Sequence, residues 1–393
     1  MIIAGLMTGT SADALDVVLV EFQHEPGAEL EMGLLGFREV AFAEDLERDI
    51  RRLLCPEPVP LDLVSSVDAR LGQASAEAVS ALCAEHLAEG RIPDLVVSHG
   101  QTVRHDVSRG HVTSTLQIGQ PAWIAQGVGS PVLSDVRARD VAAGGQGAPL
   151  AGILDHLLLS GAGEPTAALN LGGIANITVV AEETLAFDTG PANALIDLMA
   201  ERISDGALTY DRDGALAAQG TVDSALLQDL LAEPYYALPA PKSTGKELFH
   251  AEYLDRHLGA HPEVTALDVM ATLTELTAQT VAEACRAHQV TQVIASGGGV
   301  RNPTLMAASE RRLGGIRLRS SDAALGLPAE AKEACLMALL GWLSWHGLPG
   351  TQPGITGAST PTIAGRLTPG KEPLRLPEPL EHLPKGLHLM KED

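Results

Sequence analysis

Aromatic residues are scarce in this chain. Phe, Tyr and Trp supply 3% of 393 residues while hydrophobic residues reach 45%, so the core must be built from Ala, Leu, Val and Ile. Basic residues are also short: 27 Lys and Arg face 50 Asp and Glu, a formal net charge of -23. A field of that sign repels nucleic acid and anionic membrane surfaces, and neither is expected as a partner. It repels phosphate-bearing ligands too. A phosphate site here needs short-range donors: backbone N–H groups, helix N-termini and a metal ion. The four cysteines, Cys55, Cys83, Cys285 and Cys335, form no CxxC pair, which speaks against a disulfide framework or a zinc site. Reduced core thiols fit a cytoplasmic protein. No run approaches the roughly 18 apolar residues of a membrane span. The apolar opening 1–7 breaks at Thr8-Gly9-Thr10-Ser11, too early for a signal peptide.

What is present is a repeated alternation of strand and helix patterns, so an α/β fold is expected. The length predicts two domains. The first 22 residues read as a hairpin with a polar, glycine-containing tip. Helical apolar spacing covers 61–89, and strands follow at 95–98 and 132–134. A second hairpin, 167–171 and 174–180, turns at Gly172-Gly173. Residues 186–188 end a strand, and Thr189-Gly190-Pro191 is expected to open a helix over 192–202. Further helices are predicted at 266–288 and 329–345, with a strand at 292–295 between them. The boundary is expected near 160–166, giving an N-terminal lobe 1–165 and a C-terminal lobe 166–393. The Pro/Gly-rich tail is expected to wrap the surface, with its final dozen residues disordered.

Several segments carry chemistry, each with an ordinary alternative. Residues 7–16 combine glycine, hydroxyls and Asp, suiting phosphate and Mg²⁺; surface hairpins use the same residues for turn reasons. Gly172-Gly173 lets a ligand approach the backbone, or is a plain hairpin turn. Asp188-Thr189-Gly190-Pro191 offers N–H groups to an anion, or is a helix cap. Gly297-Gly298-Gly299 carries a backbone-entropy cost that a ligand lying on the turn would explain. Residues 135–149 set Asp135, Arg137, Arg139 and Asp140 beside the glycine-rich loop Gly144-Gly145-Gln146-Gly147. That reads as a general base beside a binding wall, against a solvated salt-bridged loop. His99-Gly100-Gln101-Thr102 follows a strand, where α/β sites collect their residues.

The order and spacing of these segments resemble the anhydro-N-acetylmuramic acid kinases over roughly residues 1–370. Residues 9–16 are similar to the family's GTSxDGxD hairpin and 98–104 to its SHGQT segment. Residues 135–150 are similar to DFRxxDxAxGGQGAPL, 170–178 to NLGGIAN and 187–197 to FDTGPxNxLID. Residues 242–247 resemble KSTGxE, 296–302 SGGGxxN and 355–358 the late TGA segment. Ala14 stands where the hairpin motif has Gly, which predicts a φ cost at that position.

The resemblance implies a two-lobed actin-like ATPase (ribonuclease H-like) fold with the nucleotide in a cleft between the lobes. It implies ATP and Mg²⁺, a homodimer, and hydrolytic opening of the 1,6-anhydro ring with phosphorylation of O6, giving N-acetylmuramate 6-phosphate in peptidoglycan recycling. On that basis Asp140 is the expected general base, with Asp135 as the fallback. ATP is expected at Gly9, Thr10, Ser11, Ala12, Asp13, Ala14, Leu15 and Asp16. On the other lobe it is expected at Gly172, Gly173, Asn176, Asp188, Thr189 and Gly190. Gly297, Gly298, Gly299 and Asn302 would face adenosine. Asp13 and Asp188 would hold Mg²⁺, and His99, Gln101, Arg137, Gly145, Gln146 and Glu333 would contact the sugar. A kinase for another sugar and a partner-binding ATPase of the same fold are the alternatives.

Overall fold

The structure is a computed structural model describing residues 1–390 except 10, 11, 13, 26, 56, 109, 110, 246 and 247. It divides into two compact units, Met1–Leu158 with Ala331–Asp393, and Leu159–Glu330. The expectation that everything beyond 166 forms the second lobe is therefore corrected: the last 63 residues, 331 to 393, return to the first unit.

In the first unit, β1 (Ile2–Thr8) is apolar and buried along its whole length, which makes it a central strand. It pairs antiparallel with β2 (Ala14–His24), and β2 pairs antiparallel with β3 (Leu30–Ala41). On its other side β1 runs parallel to β4 (Leu95–Ser98), and β4 parallel to β7 (Val132–Ser134). Two exposed strands, β5 (Gln101–Ser108) and β6 (His111–Ile118), pair only with each other among the described residues. Helix α1 (Leu61–His86) covers one face of the sheet through Val67, Leu71, Val79 and Leu82.

In the second unit, β8 (Thr166–Leu171), β9 (Ile174–Val180) and β10 (Thr184–Pro191) form an antiparallel meander. β11 (Gln292–Ser296) runs parallel to β8, and β12 (Arg317–Ser320) parallel to β11. Both units thus share one strand order, three antiparallel strands followed by two parallel to the first. That is the ribonuclease H-like topology of the actin-like ATPases, and the echo between the two hairpins extends to whole sheets. Two apolar clusters fill this unit, one under the sheet and one among its helices, which include α5 (Ala266–Ala287) and α6 (Pro303–Leu313). Thr189 and Gly190 belong to β10, and the following helix starts at Asn193, not 192.

The chain's return to the first unit has a steric cause. Helix α7 (Lys332–Trp345) is buried almost all round and packs on β1. A Cβ on Gly5 would lie 2.1 Å from Ala334 O, and one on Gly341 would lie 2.3 Å from Val97 Cγ2. Glycine in both strand and helix lets the backbones approach this closely. Beyond α7, β13 (Arg366–Thr368) adds antiparallel to β7, and β14 (Leu387–Leu389) adds parallel to β3. The tail's expected disorder is corrected to that extent: Leu387 is buried, and the edge hydrogen bonds of β3 order the segment. Among the described residues no helix is long and apolar enough to cross a membrane.

Candidate functional site

In the first unit the chain beyond β7 builds a buried nest of charge. Asp140 sits on the short helix α2 (Ala138–Ala142) and is 1% exposed. Its Oδ2 accepts the Gly147 N–H at 2.7 Å, and its Oδ1 accepts the Thr356 hydroxyl at 2.6 Å. A Cβ on Gly145 would lie 2.3 Å from Asp140 Oδ2, so only glycine lets the loop close over the carboxylate. The late segment latches the same loop, because Gln146 N donates to Thr356 O and Ser359 N to Ala143 O. A carboxylate has about four acceptor positions, and two of them are taken among the described residues.

Arg137 supplies the opposite charge. Its Nε donates to His99 Nε2 at 2.8 Å and its Nη1 to Gly147 O at 2.6 Å. An accepting Nε2 leaves the proton on Nδ1, which donates to Gly100 O at 2.6 Å. Burial, then Arg137, pushes the His99 pKa down to about 3, so the imidazole is neutral. Burial lowers Arg137 to about 10, while Glu333 and Asp140 act to raise it. Solvent reaches Glu333 in the first turn of α7. The protein around it still raises its carboxyl, with Arg137 and Lys332 pulling the other way. Gln101 is buried, donates weakly to Thr102 O at 3.4 Å, and leaves its Oε1 without a partner among the described residues.

Asp135 stands apart from Asp140. It takes φ +57, a costly angle for a residue with a side chain. It lines a pocket of about 330 Å³ with His99 and Gln117. Its Oδ2 lies 3.7 Å from Arg366 Nε.

The first hairpin is only partly described, and the residues Thr10, Ser11 and Asp13 lie outside the described residues. Gly9 O accepts the Ala12 N–H at 3.3 Å. The side chains of Ala12 and Leu15 go into the apolar core, so only their backbones can serve a ligand. Positive φ falls on Ala12, at +56, and not on Ala14, which is the extended first residue of β2. The φ cost expected at Ala14 is thereby corrected. Asp16 pairs with Met7 in the sheet and is half-buried.

In the second unit, register aligns a polar row across the sheet: Ser296 opposite Asn170, Asn170 opposite Asn176, and Asn176 opposite Asp188. Asp188 Oδ2 accepts the Thr244 N–H at 2.8 Å, docking the Lys242-Ser243-Thr244-Gly245 segment. Lys242 Nζ donates to Tyr235 O and Tyr236 O. Gly172 and Gly173 present carbonyls, which accept the N–H groups of Asn193, Ala192 and Ala194. The expectation that the start of α4 (Asn193–Ile203) offers those N–H groups to an anion is corrected: the hairpin already uses them. Thr189 is buried with its hydroxyl on Ala175 O. Gly190 borders Tyr236, whose Cε1 would lie 2.8 Å from an added Cβ.

Gly297 has φ +83, and a Cβ there would lie 2.4 Å from Asn170 Oδ1. Gly299 is buried against Leu171. Asn302 caps the helix Pro303–Leu313 through Leu305 N, and with Gly298 it also lines a cleft of about 400 Å³. Asn193, Tyr210, Arg212 and Asp213 are among the other residues of its wall. Sequence reasoning missed these four, although an exposed tyrosine in a chain so poor in aromatics is a signal. It also missed Thr356 as the partner of Asp140.

The family model described as anhydro-N-acetylmuramic acid kinase matches residues 1–370. An anhydro-N-acetylmuramic acid kinase of Streptomyces coelicolor is 50% identical over 396 residues, covering 99% of each chain. One of Rhodococcus erythropolis is 44% identical over 398 residues, again covering 99% of each. Among solved structures, the activator of the 2-hydroxyisocaproyl-CoA dehydratase from Clostridium difficile with bound ADPNP aligns with a TM-score of 0.41 and 14% identity, over 86% of this chain and 93% of that one.

Proposed function

The chain belongs to the anhydro-N-acetylmuramic acid kinase family, and from that premise we propose that it opens the 1,6-anhydro ring of anhydro-N-acetylmuramic acid with water and phosphorylates O6 from ATP. The products are N-acetylmuramate 6-phosphate and ADP. The carrying observation is the buried Asp140 carboxylate, oriented by Gly147 and Thr356 under a glycine loop beside Arg137. A solvated surface loop has no need of such enclosure.

Asp140 takes a proton from water as the water oxygen bonds to C1. The C1–O6 bond breaks, and O6 takes its electron pair and attacks the γ-phosphorus in line, breaking its bond to the β,γ-bridging oxygen so that ADP leaves. The proton then leaves Asp140 for solvent. A base must come within about 2.6–3.2 Å of the water it activates, and the remaining acceptor positions of Asp140 permit that. Neutral His99 holds Arg137 by an accepting nitrogen, so the guanidinium keeps its aim on Gly147 O. Gln101, Gly145, Gln146 and Glu333 are proposed sugar contacts, with Asp135 as the alternative base.

ATP fits the second unit. The cleft beside Gly298 and Asn302 has the volume of a small-molecule site, and exposed Tyr210 offers a face for the base. The donor set around Asp188, one carboxylate among amides, suits Mg²⁺ held through water and phosphate better than an all-protein cage. Mg²⁺ bound there would neutralise phosphate charge. Four free cysteines support a reducing, cytoplasmic setting, and a homodimer is the expected assembly.

Mass spectrometry after incubation with the anhydro sugar, Mg-ATP and ¹⁸O-labelled water tests the reading. One ¹⁸O at C1 and phosphate on O6 are expected. Phosphorylated sugar with no label at C1, or turnover of simple hexoses instead, would overturn it.

A further inference from the structure

The mechanism leaves one buried charged pair unused. Lys332 Nζ lies 2.7 Å from Asp155 Oδ1, with side chains only 11% and 5% exposed. Asp155 is on the helix α3 (Ala151–Leu159), which begins directly after the loop covering Asp140. Lys332 is the first residue of α7, and Glu333 follows it.

The placement runs against local energetics twice over. A cation in the first turn of a helix opposes the helix dipole. Two buried charges lose hydration that their attraction recovers only in good geometry, and apolar residues of similar volume often do as well or better. A local rule broken without a packing gain marks a position kept for function.

The surroundings indicate which function. Signs alternate along Asp155, Lys332, Glu333, Arg137 and Asp140. Lys332 and Arg137 both act on the Glu333 carboxyl, and Glu333 and Asp140 both act on Arg137. We propose that Asp155 and Lys332 are positioning residues for the sugar site: their ion pair bolts the first turn of α7 to α3, so that Glu333 stays set against Arg137. Neither touches substrate. The inference rests on the reading that the first unit binds the anhydro sugar.

The test is a double variant, Lys332→Met with Asp155→Leu, assayed beside the parent enzyme and Lys332→Arg. A melting midpoint within about 5 °C of the parent is expected, because the apolar pair fills the same space. The KM for ATP should stay within about twofold, while kcat/KM for the anhydro sugar falls about tenfold or more. Lys332→Arg should recover most of that loss, because it restores the ion pair. A double variant that turns the sugar over like the parent overturns the proposal and leaves the pair a packing feature. If the double variant does not fold, the uncharged pair, Lys332→Gln with Asp155→Asn, decides in its place: parental kcat/KM overturns the proposal, and selective loss on the sugar supports it. A parent inactive on the anhydro sugar would instead sink the functional reading, a separate outcome.

Discussion

Thr356 and Asp140 are 216 residues apart in the chain, yet the Thr356 hydroxyl donates to Asp140 Oδ1 at 2.6 Å. The hydroxyl orients the carboxylate and satisfies one of its acceptors out of water. Thr356→Val keeps the shape and removes the donor. A hydrogen bond to a charged group contributes about 1.5–3 kcal/mol. The variant should therefore lose roughly tenfold or more in kcat on the anhydro sugar, with the KM for ATP unchanged. Parental kcat would show that the contact only ties the tail down.

The two carboxylates separate by environment. Asp140 is enclosed, held by two donors and close to Arg137, whereas Asp135 lies at a pocket edge near Arg366. Asp140→Asn should cost about 10²–10⁴ in rate if it removes the general base. Nucleotide binding, read by calorimetry, should survive. Asp135→Asn should cost far less. The reverse ranking would exchange the two assignments.

The sequence made the local elements and both hairpins legible because strand and helix periodicities are local signals. The range 61–89 contains a helix at Leu61–His86, and 266–288 one at Ala266–Ala287. The return of 331–393 to the first unit was not legible. It depends on Gly5 and Gly341 meeting backbone and side chain from distant segments, which no local pattern records. At the site, clustering of charges in 135–149 was visible. That Asp140 needs Thr356, and that the Gly172 and Gly173 carbonyls take up the N–H groups at the start of α4, depends on tertiary hydrogen bonds. Asp155 and Lys332 look like ordinary surface charges until the fold buries them.

The neutral His99 predicts a direction for stability against pH. Its folded pKa, about 3, lies below the ordinary value near 6.5. Between those values the unfolded chain binds the extra proton, so stability rises with pH through this window. Acidification from about pH 6.5 towards 3 should therefore lower the melting midpoint, by an amount on the order of a few kcal/mol in stability. His99→Gln keeps an acceptor for Arg137 without a titrating ring. Its midpoint should fall less steeply over the same range. Parallel slopes for parent and variant would assign the acid sensitivity to other groups.

Gly297 and Gly298 are neighbours with opposite demands, which allows folding to be separated from nucleotide contact. Gly297 has φ +83, and a Cβ there would lie 2.4 Å from Asn170 Oδ1 and 3.0 Å from the Leu171 carbonyl. Gly297→Ala therefore meets both a left-handed backbone cost of about 1–2 kcal/mol and a clash with fixed backbone, and it should lower the urea midpoint clearly. A Cβ on Gly298 meets nothing within 4 Å, so Gly298→Ala should fold like the parent. Gly298 lines the cleft beside Tyr210. If the nucleotide lies on this turn, the added methyl meets the ligand alone, and the KM for ATP should rise about tenfold while sugar affinity holds. A Gly298→Ala enzyme with unchanged KM for ATP would move the nucleotide away from the glycine turn, whatever Gly297→Ala does to stability.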